Sequence, residues 1–155
     1  MPELPEITAY LEGLERTILG ETLTGIRVRS PSLLRTWDPP LSAAEGRRVE
    51  ELSRLGKRIV WRMEGDLFLV FHLMITGRFK WTKPGAAVPK KRAHGAFDFS
   101  RGTLLLTEQS TKKRASLHVV AGEAALEELD PGGLEVLDAG LDGFSNRLKQ
   151  DNKTL

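Results

Sequence analysis

Residues 49–82 read VEELSRLGKRIVWRMEGDLFLVFHLMITGRFKWT. Valine, isoleucine, leucine, phenylalanine and tryptophan dominate, and apolar and polar positions partly alternate, which is the signature of strands with one buried face. Turn residues divide the stretch into runs over 49–64, 66–74 and 77–82, with Gly65-Asp66 suited to a tight hairpin. Similar runs occupy 22–30, 92–100, 103–109 and 114–120. Arg101-Gly102 suits a second hairpin, while Pro31 to Pro40 and Thr82 to Pro89 read as longer loops. Several short strands at this spacing predict a sandwich or a barrel. Ahead of them, Ile7, Tyr10, Leu11, Leu14 and Ile18 recur at helical spacing, Pro5 suits a first turn and Gly20 a stop, so residues 5–19 predict an amphipathic helix. Shorter helices are expected over 123–129 and 141–155, with Pro131-Gly132-Gly133 as a loop between them. The fold class is therefore mainly β with flanking helices (α+β).

Composition bounds the function. At 155 residues, 40% hydrophobic and 28% charged, the chain is of ordinary globular type and long enough for one domain with a real core. No run approaches the roughly 18 apolar residues of a membrane span, and no basic region followed by an apolar stretch opens the chain. A cytoplasmic protein is expected. The absence of cysteine excludes disulfides and thiolate metal sites. His72, His94 and His118 have no zinc-like spacing, and His72 and His118 sit inside apolar strands, where a structural histidine is expected.

Net charge is only +2, although the sequence pI is about 9.0. The distribution says more. Lys83, Lys90, Lys91 and Arg92 form one basic segment and Lys112, Lys113 and Arg114 another, and a sheet can bring the two together. Solvated loops and a nucleic-acid surface both fit this pattern.

The first residues, Met1-Pro2-Glu3-Leu4-Pro5-Glu6, carry the most specific chemistry. Initiator methionine is readily trimmed before a small residue, which leaves Pro2 as a free secondary amine. An α-amino group titrates near 8, against about 10.4 for lysine, so much more of it is nucleophilic near neutral pH. Attack on an aldehyde-like carbon gives an iminium, an electron sink, and Glu3 stands one residue away to move a proton. A helix start accounts for Pro5 and Glu6. It gives no reason for Pro2 and Glu3.

Together with Leu55-Gly56-Lys57-Arg58, the run Phe71 to Gly77 and the tail Asp151-Asn152-Lys153-Thr154-Leu155, this opening resembles the formamidopyrimidine-DNA glycosylase and endonuclease VIII family, which excises damaged bases from DNA. The resemblance implies a two-layer β-sandwich with an N-terminal helix over residues 1–140, and the start of a truncated helix–two-turn–helix domain over 141–155. It implies a base-excision repair glycosylase with abasic-site lyase activity acting on damaged double-stranded DNA, as a monomer in the bacterial cytoplasm. Pro2 corresponds to the nucleophile, Glu3 to the proton donor and Lys57 to the hairpin lysine near the damaged nucleotide; Glu6 positions the N-terminal turn. Met74 matches the methionine that fills the void left by a flipped nucleotide. Either Arg92 or His94 takes the place of a phosphate-binding histidine, and Arg114, Lys113 and Lys153 are further DNA-contact candidates. No cofactor is implied for this stretch, since the zinc finger common in the family belongs to its C-terminal part.

The sequence departs from the family at 107–117, where many members carry Asp-Pro-Arg-Arg-Phe-Gly. Arg114 stands in for the arginine that reads the opposite base, but Ala115 falls where the wedging phenylalanine belongs. This departure puts an 8-oxoguanine-opposite-cytosine preference in doubt and leaves the amine chemistry at the other end untouched. Two other readings stay open: a DNA-binding relative or isolated domain without catalysis, and an amine-terminal enzyme acting on a small carbonyl compound.

Overall fold

The computed structural model describes residues 4–109 and 114–129. It begins with helix α1, Leu4–Thr17. Eight strands follow: β1 Gly25–Val28, β2 Val49–Leu55, β3 Arg58–Met63, β4 Leu67–His72, β5 Gly77–Thr82, β6 Ala93–Asp98, β7 Thr103–Glu108 and β8 Ser116–Ala121. A short helix α2, Glu123–Glu127, is the last described element. The chain divides into two units at Gly122/Glu123. Among the described residues the second unit is represented by α2 and the two residues after it, and the boundary expected at 140/141, with the helix over 141–155, lies outside them.

The strands form two antiparallel four-stranded sheets, ordered β2-β3-β4-β8 and β1-β6-β7-β5. Alternation assigns the faces. Ile59, Trp61 and Met63 of β3, Leu67, Leu69 and Phe71 of β4, and Leu117 and Val119 of β8 join one core with Phe79, Phe97, Leu104 and Leu106 of the other sheet. Trp61 is fully buried and sits at the centre. Its ring centroid lies 4.6 Å from Phe71, 5.3 Å from Phe97 and 6.1 Å from Phe79, so one indole touches aromatic rings of both sheets. Ile7 and Leu14 give α1 its apolar face, Ile18 follows on the same side, and Tyr10 meets Phe79 edge to face at 5.9 Å.

Three sequence expectations need correction. The run 49–64 is not one strand. Gly56, at φ +63°, and Lys57 form a two-residue turn closed by the pair Leu55 and Arg58, and glycine at the first central position is the type II′ hairpin signature. The hairpin expected at Gly65-Asp66 is a three-residue loop, because Met63 pairs with Leu67. Arg101-Gly102 also shifts by one: the Phe99 amide donates to the Gly102 carbonyl at 2.9 Å, which centres the turn on Ser100 and Arg101.

The loop expected over Pro31 to Pro40 contains a short 3-10 turn, Pro31–Leu33, and then runs beside β8. Leu34 bridges Leu117 in parallel, the Arg35 amide donates to the Leu117 carbonyl at 3.0 Å, and the Val119 amide donates to Thr36 Oγ1 at 2.9 Å. These bonds satisfy backbone groups that an open edge of β8 leaves unpaired.

Trp61→Ala removes the ring that joins the sheets and is expected to lower folding stability by about 3–5 kcal/mol. Urea denaturation of the variant beside the parent measures it.

Candidate functional site

Strand register gathers the chemistry-bearing turns at one end of the sandwich. Ile59 pairs with Phe71, so Arg58 and His72 face each other at the end where the Gly56-Lys57 turn closes. His72 in turn pairs with Ser116, the first residue of β8, which places Arg114 and Ala115 at that end as well. The chain leaves β4 through Leu73-Met74-Ile75-Thr76 and enters the other sheet at Gly77, opposite Glu108 at the end of β7. Ala93, at the start of β6, pairs with Thr107, so Arg92 joins the same rim. Lys57 and Met74 are half-buried, while Arg92 and Arg114 are exposed.

The turn that carries Met74 is strained. Met74 has φ +60°, in the left-handed region that a side chain rarely adopts. Two contacts hold it: the Gly77 amide donates to the Leu73 carbonyl at 2.9 Å, and Thr76 Oγ1 donates to Glu108 Oε2 at 2.8 Å. Gly77 is required by proximity, since a Cβ there would collide with the Leu73 carbonyl oxygen.

Glu108 is 1% exposed and, among the described residues, accepts four hydrogen bonds. Besides Thr76, His94 Nε2 lies 2.7 Å from Oε1, and the Arg114 and Ala115 amides donate to the same oxygen at 3.0 and 3.1 Å. Burial pushes its carboxyl pKa up, but the bonds from His94, Ala115, Thr76 and Arg114 outweigh burial and hold it below the usual glutamate value. An ionised carboxylate only accepts, so Nε2 of His94 carries the proton in this pair. A bulge between Ala93 and Gly95 sits beside it.

A second cluster lies on the outer face of the other sheet. His72 and His118 are half-buried, and each has one ring nitrogen, Nε2 and Nδ1 respectively, buried without a hydrogen-bond partner among the described residues. Burial lowers both imidazole pKa values; Arg58, His118 and Lys57 lower that of His72 further, and Arg58 and Arg35 that of His118.

The sequence model described as the Formamidopyrimidine-DNA glycosylase N-terminal domain matches residues 1–115. The chain belongs to the formamidopyrimidine-DNA glycosylase family. A formamidopyrimidine-DNA glycosylase of Heliobacterium modesticaldum is 33% identical over 138 residues, covering 86% of this chain and 50% of that protein. Its counterpart in Ligilactobacillus salivarius is 28% identical over 160 residues, covering 100% of this chain and 57% of the relative. The chain thus spans about half the length of these relatives. A solved structure of Lactococcus lactis Fpg in complex with an abasic-site-containing DNA superposes with TM-score 0.72 at 22% identity, over 81% of this chain and 46% of that one. The superposition establishes the shared two-sheet fold.

Within this glycosylase-family domain, Lys57, Met74, Arg92 and Arg114 come to one rim, as the register requires. Glu6 lies exposed in the first turn of α1. Pro2, Glu3, Lys113 and Lys153 lie outside the described residues. His94 is corrected: it is 0% exposed and held by Glu108, so of the two phosphate-contact candidates only Arg92 faces solvent. Sequence reasoning missed the hydrogen-bonded arrangement at Glu108, which looks like an ordinary polar strand end.

Glu108→Ala leaves a buried histidine nitrogen, a hydroxyl and two amides without their acceptor, and is expected to lower stability by about 3–5 kcal/mol. Because the folded-state pKa is lowered, this contribution is fully present above the ordinary glutamate range and is lost as pH falls through the folded value. Urea denaturation of parent and variant from neutral to acidic pH should show the gap closing at the acid end.

Proposed function

We propose that this chain is the catalytic N-terminal half of a bacterial, cytoplasmic base-excision repair glycosylase with abasic-site lyase activity on damaged double-stranded DNA. The observation that carries this reading is the family match from residue 1 onward, which takes in Pro2 and Glu3. It is supported by one rim that offers a hairpin lysine, a strained turn methionine and exposed arginines.

In this reading the Pro2 nitrogen, freed by loss of Met1, attacks the sugar C1′ and the damaged base departs. Glu3 donates a proton to the opening sugar oxygen, and the C1′–N bond becomes an iminium. The iminium acidifies C2′; removal of a C2′ proton expels the 3′ phosphate, and a second elimination expels the 5′ phosphate. Water then releases the amine. The iminium is itself the electron sink for both eliminations. Lys57 pairs with a phosphate beside the reacting sugar, a task that suits a mobile ammonium. Met74 occupies the vacated position in the stack, where an unbranched apolar side chain adapts to irregular space, Arg92 holds the backbone, and Arg114 stands in for the arginine that reads the opposite base.

Incubation with an abasic-site duplex and borohydride at low salt, followed by intact mass, tests the reading. A reduced adduct is expected on the chain that has lost Met1 and not on chain that retains it. No adduct on fully processed chain overturns the assignment of the nucleophile to this domain. Lys57→Ala should slow strand cleavage and reduce the slope of log binding constant against log salt by about 1, measured by fluorescence anisotropy over a salt series.

A further inference from the structure

We propose that Glu108 is a positioning residue that couples the Met74 turn to the chain at Arg114–Ala115, so that an apolar side chain and a cation meet one duplex in a fixed relation. This rests on the DNA-repair reading above. Met74 leaves the end of one sheet and Arg114 precedes β8 of that same sheet, yet both segments are tied to a carboxylate on β7 of the other. The two oxygens divide the work. Oε2 takes the Thr76 hydroxyl, two residues beyond the strained Met74, while Oε1 takes the amides of Arg114 and Ala115. His94, from β6, fixes the carboxylate from a third side at 2.7 Å.

A buried carboxylate is an expensive way to fill space, since apolar side chains of similar volume pack as well or better. Glu108 also sits behind a rim whose exposed groups include Arg92 and Arg114. With 1% exposure it does not present its negative charge to a phosphate, and among the described residues its donors are Thr76, His94 and the amides of Arg114 and Ala115. The geometry assigns it the relation between those segments.

Thr76→Val removes only the hydroxyl tie and leaves Glu108 its three other donors, whereas Thr76→Ser keeps the tie. Amide hydrogen exchange on the full 155-residue chain, without DNA, reads the coupling directly. Exchange at Arg114 and Ala115 is expected to quicken about tenfold in Thr76→Val, the worth of one hydrogen bond to a charged group, and to return in Thr76→Ser. Unchanged exchange at 114 and 115 in Thr76→Val overturns the proposal whatever DNA does. With an abasic-site duplex carrying 2-aminopurine beside the gap, parent and Thr76→Ser should brighten the probe, and Thr76→Val should bind with similar affinity while brightening it much less. Equal brightening by all three also overturns the proposal. A parent that does not bind the duplex overturns the repair reading, and the exchange experiment still decides the coupling.

Discussion

The contact of Trp61 with aromatic rings from both sheets is the constraint on which the structure depends. Phe71 belongs to its own sheet and Phe79 and Phe97 to the other. Two sheets packed face to face need large side chains interleaved at the centre, and a tryptophan supplies more buried area than any other residue. Its Nε1–H finds no hydrogen-bond partner among the described residues, so packing at this position outweighs an unsatisfied donor. With the sheets fixed in this way, strand lengths and registers decide which turns emerge together. The Lys57 hairpin, the Met74 turn and the chain before β8 share one rim for that reason.

Much of this architecture was legible in the sequence. The alternation in Arg58 to Met63 and the apolar run Leu67 to Phe71 announce strands, and Ile7, Leu14 and Ile18 announce the helix that packs beside them. The division of 49–64 was harder to see because Gly56-Lys57 lacks the Asn-Gly or Asp-Gly signal of commoner tight turns. The fate of Arg35 and Thr36, paired beside β8, depends on a partner more than 80 residues away, which no local pattern records.

The candidate site divides along the same line. Lys57 and Met74 sit in turns that short motifs identify. His94 does not, because its role is set by Glu108 fourteen residues on and by the register that brings the two together. A lone glutamate at a strand end reads as solvated. Only the fold shows that four donors converge on it.

Two of those donors are main-chain amides, those of Arg114 and Ala115. Every residue except proline carries the same amide, so the tie is indifferent to which side chains stand at these positions. The departure from Asp-Pro-Arg-Arg-Phe-Gly in this segment therefore has a permissive frame beneath it. Other non-proline side chains can stand at 114 and 115 while both amide bonds to the carboxylate stay as they are.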